Sequence, residues 1–459
     1  VTLKINLGIF KTFIIANSIS SMYSKTLFSM CMKKAHIISI GNELLIGDTI
    51  NTNAAHIGQR LTHLGITTEQ IFTIPDDFSI IKKRISRSLE QADVTIVTGG
   101  LGPTHDDITK KVVAEIFDSK MVSNELVLNH IKKIFSDRGY TLSPSNIEQA
   151  QVPEVCTVLF NKQGTAPGMW FEKLGHYLAV LPGVPYEMKH LMETGVEPKL
   201  LSIYKGLNIR VTDYLKTAGI PESTLSDLIG NLDEYTNNGV GVAYLPNPGG
   251  VTMRLSAEGA TKEMAEQKLV KLRKMVFDKS GDFIFARQKD KTLAEVVGSL
   301  LTEKNLTIAT AESCTGGMLS NEITDVPGSS GYLLGGIVAY ANSAKSQLLG
   351  IDEKLIEEFG AVSKPVALAM AKNAAKKFGA DIGVSTTGIA GPGGGSDDKP
   401  VGTVWIGFFI NGENFALKTV FTNNRLVNKQ RTVMVALETL RRYLLGIKTY
   451  PYELKPHYS

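Results

Sequence analysis

The sequence predicts an α/β protein: two parallel-sheet α/β domains joined by a small α+β module. Three observations predict it. Apolar runs of strand length alternate with helical segments, first from Ala35 and again from Leu293. Glycine-containing turns follow the apolar runs, as at Thr98-Gly99-Gly100 and Leu181-Pro182-Gly183. Between the two patterns, residues 207–285 change to an alternating and strongly charged sequence. A chain of 459 residues has room for two or three such domains.

Taken in order, residues 1–31 stand outside the fold. No Asp or Glu occurs before Glu43, and the apolar clusters Ile9-Phe10 and Phe13-Ile14-Ile15 are split by Lys11. The segment reads either as a signal or transit segment, against which the split and short apolar run and the missing arginine argue, or as an untranslated or unprocessed leader before Met32. Ala35–Ile40 reads as a strand, 53–64 as a helix, 93–98 as a second strand, 108–117 as a helix and Tyr177–Leu181 as a third strand. Val251–Ser256 alternates like one face of an antiparallel strand, and Thr261–Phe277 reads as a long amphipathic helix. Pro246-Asn247-Pro248-Gly249-Gly250 is a turn between them and the preceding residues. Residues 286–292 are polar and linker-like. The resulting domains are 32–204, 205–287 and 288–459.

Composition narrows the function. An apolar fraction of 43% and a charged fraction of 20% are those of an ordinary globular protein. A net charge of +4 is too small to imply a membrane or direct nucleic-acid partner. Cys31, Cys156 and Cys314 are far apart and form neither a disulfide framework nor a paired metal motif, which fits the cytoplasm.

In parallel α/β sheets, ligands sit beyond the carboxyl ends of the strands. The loop Thr98-Gly99-Gly100-Leu101-Gly102-Pro103-Thr104-His105-Asp106-Asp107 is such a position. Its glycines allow close approach of an anion, and the following helix offers N–H groups to phosphate. Asp106 and Asp107 are candidate ligands of a divalent cation bridging that phosphate. The local alternative is a capping box between Thr104 and Asp107. Glu43, in Gly41-Asn42-Glu43-Leu44-Leu45-Ile46-Gly47, is either a pocket carboxylate or a solvated loop acid. Gly164–Gly168 and Leu181-Pro182-Gly183-Val184-Pro185-Tyr186-Glu187-Met188 are loops of the same kind, and together they suggest one shared pocket.

These three motifs, around Glu43, Gly99–Asp107 and Pro182–Met188, resemble the signature of the CinA family. The resemblance implies a domain like the molybdopterin-binding fold of MoaB and MogA, with metal-dependent ADP-ribose pyrophosphatase activity. Gly99, Gly100, Gly102, Thr104, Glu43, Pro182, Gly183 and Glu187 would then bind substrate, with the metal at Asp106 and Asp107. Residues 207–285 resemble the family's KH-like module. They lack an evident Gly-x-x-Gly loop, so they read as a structural or dimer element rather than an RNA binder.

The C-terminal pattern carries a second site. A strand over 307–310 leads into Ala311-Glu312-Ser313-Cys314-Thr315-Gly316-Gly317 and a helix, again an arrangement suited to phosphate. A strand over 381–385 leads into Thr386-Thr387-Gly388-Ile389-Ala390-Gly391-Pro392-Gly393-Gly394-Gly395, and a strand resumes at Val401. No histidine lies between His190 and His457. A serine hydrolase here therefore needs lysine as its base, and Lys345 serves if burial lowers its pKa. Ser313, Cys314, Ser329 and Ser330 are the candidate nucleophiles, and Tyr340 is placed to relay or orient a proton.

From Thr310 to Leu440 the chain resembles nicotinamide mononucleotide (NMN) deamidases of the PncC type, which are also the C-terminal domains of CinA proteins. The resemblance puts the nucleophile on Ser330, with Tyr340 and Lys345 as its catalytic partners. It puts substrate contacts on Ser313, Thr315, Gly316, Thr387, Gly388, Gly391 and Arg425. The family's Gly-Asp-Arg is Thr422-Asn423-Asn424-Arg425 here, so Lys429 and Arg431 are alternatives for the phosphate contact. The implied reaction converts NMN to nicotinic acid mononucleotide and ammonia without a metal. The implied assembly is a homodimer. The family's name also suggests a non-catalytic role in DNA uptake or damage response, against which the absence of a basic stretch argues.

Overall fold

The computed structural model describes residues 33–104 and 107–459. The leader at 1–31 and the metal candidate Asp106 lie outside the described residues. Two compact units emerge. One holds the described residues up to Val211 with Glu258–Ala265, and the other holds Thr212–Ala257 with Glu266–Ser459.

The first unit is built on a six-stranded sheet. Its strands are β1 (Lys34–Ile40), β2 (Thr67–Ile74), β3 (Val94–Thr98), β4 (Thr157–Leu159), β5 (Gly168–Lys173) and β6 (His176–Leu181). The spatial order is β2-β1-β3-β6-β5-β4. The first four of these are parallel, and β5 and β4 close one edge antiparallel. Strand β1 is buried on both faces, with Ala35 and Ile37 in one core and Ile38 and Ile40 in the other. That is why it reads as a continuous apolar run rather than an alternating one.

Helix α1 (Thr52–His63) covers the first face with Ala54, Ile57 and Leu61, and α2 (Phe78–Gln91) covers the second with Ile81, Ile85 and Leu89. Each fully buried Leu or Ile contributes about 2 kcal/mol of apolar transfer. The Asn51 side chain caps α1 and the Asp77 side chain caps α2, each accepting an early backbone N–H. The loops after β1, β3 and β6 leave the same edge of the sheet. Gly99 is essential to that edge: a Cβ there would lie 2.2 Å from the Ile40 carbonyl oxygen. Helix α3 (Thr109–Ile116) follows the β3 loop and α4 (Pro185–Leu191) follows β6.

The middle module is a four-stranded sheet of β7 (Ile209–Ala218), β8 (Val240–Asn247), β9 (Gly250–Gly259) and β10 (Ile284–Ala286), in the order β8-β9-β7-β10. The β8–β9 hairpin turns at Pro248-Gly249, and α5 (Lys262–Ser280) is its long helix.

The C-terminal domain starts at α6 (Leu293–Glu303), entered through a capping box between Thr292 and Glu295. Its strands are β11 (Ile308–Glu312), β12 (Leu333–Val338), β13 (Ile382–Gly388), β14 (Thr403–Ile410), β15 (Glu413–Val420) and β16 (Pro456–Tyr458), ordered β12-β11-β13-β14-β15-β16. Its further helices are α7 (Met318–Thr324), α8 (Asn342–Leu349), α9 (Lys364–Phe378) and α10 (Arg425–Leu445). Only β12, β11 and β13 are parallel; the outer half is antiparallel. The antiparallel outer half of this parallel-centred sheet has a physical reason. The β13–β14 connection contains no helix, and Asn411-Gly412 closes a two-residue β14–β15 turn with both residues at positive φ. Helix α9 lies directly on this sheet, because Gly383 and Gly407 face Ala371 and Ala367. Among the described residues, no helix is long and apolar enough to cross a membrane.

Candidate active site

The C-terminal site begins where β11 ends. Glu312 is fully buried, and its carboxylate accepts from Thr315 Oγ1 (2.6 Å), Gly317 N (3.0 Å), Leu319 N (3.0 Å), Ser320 N (2.8 Å) and Ser320 Oγ (2.7 Å). The N–H groups at the start of α7 are thus satisfied by an internal anion. The expected phosphate position at this turn is corrected accordingly, because its donors are already used. Thr315 is also corrected: it is fully buried, with its hydroxyl between Glu312 and Thr386 Oγ1. Thr387 is buried and donates to the Ala361 carbonyl at 2.7 Å, so it supports the loop rather than facing a ligand.

Ser313 and Lys345 meet directly. Lys345 Nζ donates to Ser313 Oγ (3.1 Å), to the Ala339 carbonyl (3.0 Å) and to the Tyr340 carbonyl (3.2 Å). Lys345 is 1% exposed, and no carboxylate pairs with it among the described residues. Burial lowers its pKa from the usual lysine value. Two backbone carbonyls hold two N–H groups, which leaves the third position on nitrogen directed at the Ser313 hydroxyl. In the neutral amine that position is a lone pair.

The rest of the site hangs on α10. Arg425 donates to Tyr340 Oη at 2.7 Å and to the Gly391 carbonyl at 2.9 Å. Asn428 is fully buried and donates to the Ala390 carbonyl of the glycine-rich loop (2.9 Å) and to the Thr422 carbonyl just before α10 (2.7 Å). Lys429, one turn after Arg425, reaches the Gly316 turn: a Cβ at Gly316 would lie 3.6 Å from its Nζ. Arg431 instead lies within electrostatic reach of Tyr452. Gly388 sits at the end of β13, at the head of this loop. The structure therefore brings Ser313, Gly316, Tyr340, Lys345, Gly391 and Arg425 into one cluster.

Ser330 is not in it. It lies exposed in the turn before β12, whereas Tyr340 and Lys345 follow the other end of that strand. The parallel register pairs Ile308 with Leu333 at one end and Glu312 with Val338 at the other. A six-residue strand spans about 20 Å. The pairing of Lys345 with Ser330 is therefore corrected to a pairing with Ser313. Cys314, next to it, is packed in the core, and burial pushes its thiol up to about 12.

In the first unit, Glu43, Asn53, Thr98 and Gly183 line one cleft at the carboxyl edge of the sheet. Asn53 Nδ2 donates to the Gly183 carbonyl (2.7 Å) and to Thr98 Oγ1 (3.2 Å), and Thr98 Oγ1 donates to the Pro182 carbonyl (2.8 Å). Gly100 packs on Thr109, and Gly102 packs on the Asp107 carboxylate. Asp107 does not cap α3. Its Oδ2 accepts from Thr104 N and Thr104 Oγ1 and closes the loop on itself. Glu187 is buried, receives a 2.6 Å bond from Asn161 Nδ2, and has its pKa raised by burial. Among the described residues no group of three or more His, Cys, Asp or Glu side chains is placed to hold a metal ion. In the expected loop they supply the single carboxylate of Asp107, already engaged, so they do not by themselves fit the metal. Sequence reasoning missed Glu312, Asn53, Asn161 and Asn428. Asn53 and Asn428 sit in the first turns of their helices, where a side-chain amide reaches the carbonyls of neighbouring loops.

The chain matches three families over successive segments. Residues 36–202 match the probable molybdopterin binding domain, 212–286 the damage-inducible protein CinA KH domain, and 290–444 the CinA C-terminal domain. A CinA-like protein of Chloroherpeton thalassium is 42% identical over 418 residues, covering 89% of this chain and 99% of that protein. A putative competence-damage inducible protein of Clostridium tetani is 40% identical, covering 90% of this chain and 100% of that protein. A solved structure described as CinA with unknown function, from Thermoplasma acidophilum, is 37% identical over 36% of this chain and 98% of its own, with a TM-score of 0.34.

Proposed function

The chain belongs to the CinA family, and from that premise we propose that its C-terminal domain hydrolyses the carboxamide of NMN to nicotinic acid mononucleotide and ammonia. The observation that carries this reading is a buried lysine amine 3.1 Å from a serine hydroxyl. Ser313, not Ser330, is the nucleophile. Neutral Lys345 removes the Ser313 proton as Oγ bonds to the carboxamide carbon. The protonated Lys345 then returns that proton to the amide nitrogen, the C–N bond breaks, and ammonia leaves. Water attacks the Ser313 ester, Lys345 takes its proton and delivers it to Oγ, and the carboxylate product departs. Tyr340 joins the two ends of the site, its carbonyl accepting from Lys345 and its phenol from Arg425.

The test is ammonia release from NMN by the full chain with and without EDTA, beside Ser313→Ala and Ser330→Ala. EDTA-resistant release lost only in Ser313→Ala is the expected result. Release lost in Ser330→Ala and kept in Ser313→Ala overturns the assignment.

A second reading concerns the first domain. We propose that the first domain hydrolyses a pyrophosphate such as that of ADP-ribose in the cleft lined by Glu43, Asn53, Thr98 and Gly183, which lies where ligands of such sheets sit. Glu43→Gln should lower that activity and leave ammonia release unchanged.

A further inference from the structure

We infer that Lys429 determines the specificity of the C-terminal site, its ammonium binding the phosphate monoester of the substrate and so separating nucleotide from nucleoside. This rests on the amidase reading above. The anion-binding capacity at the start of α7 is already spent on Glu312, whose carboxylate takes the Gly317, Leu319 and Ser320 N–H groups. A phosphate is therefore not met by the start of α7, and the cationic side chains beside it are the charged groups left to meet it. Arg425 and Lys429 sit at i and i+4 in the first turns of α10, on the same side of the helix. Arg425 is engaged, donating through its two terminal nitrogens to the Gly391 carbonyl and the Tyr340 phenol. Lys429 is half-buried over the Gly316 turn and makes no hydrogen bond or ion pair among the described residues.

The two cations therefore have different tasks. Arg425 ties the glycine-rich loop to Tyr340, while Lys429 keeps its donors for a ligand. Lysine acts on phosphate as a compact point charge, and the N-terminal end of α10 adds to its potential. Gly316, at φ +63, lets the turn pass beneath Lys429, whose Nζ lies at van der Waals distance from where a Cβ would stand (3.6 Å). The Glu312 carboxylate is engaged by Thr315, Gly317, Leu319 and Ser320 and forms no ion pair with Lys429 among the described residues.

The test compares full-length wild type, Lys429→Gln and Lys429→Arg on NMN and on nicotinamide riboside, with ribose 5-phosphate binding measured by calorimetry. Lys429→Gln should raise KM for NMN about 10- to 100-fold with kcat within about twofold, the loss of one charge-assisted contact. Its kinetics on the riboside should be unchanged, and Lys429→Arg should restore most of the NMN affinity. Ribose 5-phosphate affinity should fall in parallel in Lys429→Gln. Equal loss on NMN and the riboside would assign Lys429 a structural role and overturn the inference. So would wild-type-like binding of ribose 5-phosphate by Lys429→Gln, or no binding by wild type. If wild type releases no ammonia yet binds ribose 5-phosphate through Lys429, the amidase reading fails and the phosphate site stands.

Discussion

On the proposed amidase reading, the chemistry of the C-terminal domain rests on one lysine and its surroundings. Lys345 is buried without a carboxylate, so its environment disfavours the charged form and lowers its pKa. A base must be neutral to act, so kcat should rise with pH and level off above the lowered pKa, below the usual 10.5. A pH profile that falls over that range would contradict Lys345 as base. Lys345→Arg keeps a charge at every working pH and should be inactive. Ser313→Ala should lose at least about a thousandfold in kcat, and Ser330→Ala should stay within about twofold, read by ammonia release. The same burial has a stability consequence at Lys110, which is 8% exposed, donates to the Gln149 carbonyl and has its pKa lowered to about 8. The unfolded chain then binds the extra proton between about pH 8 and 10.5, so the stability of the first domain should rise with pH across that window. The cost of the buried charge is fully present below about 8 and amounts to about 3 kcal/mol. Lys110→Met should flatten this dependence in urea melts at pH 7.5 and 10.

At the scale of elements, small residues and internal caps set the geometry. Glu312 replaces a ligand anion at the start of α7 with one of the protein's own. Glu312→Gln exchanges two accepting oxygens for one and turns an amide N–H₂ toward buried donors. It should cost about 2 to 4 kcal/mol and displace Ser313, lowering both Tm and kcat. A variant of wild-type stability would show that the carboxylate is dispensable. Helix α9 approaches β13 and β14 closely because Gly383 and Gly407 present no side chain. A Cβ at Gly383 would lie 2.0 Å from the Ala371 carbonyl oxygen. Gly383→Ala should therefore destabilise by about 3 kcal/mol or more, seen as a shifted denaturation midpoint.

At the scale of the molecule, α10 runs from the site to a buried ionic cluster. Its first turns hold Arg425, Asn428 and Lys429. Farther along, Glu438 pairs with Arg441 at 2.7 Å and with Arg442 at 2.7 Å, all three at most 2% exposed. Arg441 also donates to the Asp282 carbonyl, and Arg442 stacks on Phe283, so the cluster joins the end of the middle module to the C-terminal domain. Glu438→Gln leaves two buried arginines unbalanced and should cost about 3 to 5 kcal/mol. Differential scanning calorimetry should show the middle module and C-terminal domain losing stability together.

What the sequence alone determined was the alternation of buried strands with amphipathic helices and the glycine turns at their ends. Those patterns depend on neighbours a few residues apart, so β1, β3, β6, β11 and β13, and the helices after β1 and β3, were legible to within a few residues. The loops that matter were legible for the same reason, whereas Lys345, one of many lysines in the domain, was singled out by the family resemblance and not by its spacing. What only the tertiary structure decided was which serine meets that lysine. Ser313 and Ser330 both stand near glycines in sequence, but β12 carries Ser330 to one end of the sheet and Lys345 to the other. The paired state of Glu312 and the direction of the outer strands were likewise hidden. Each depends on contacts across the sheet or on where a turn sends the chain, and spacing along the chain does not encode distance in space.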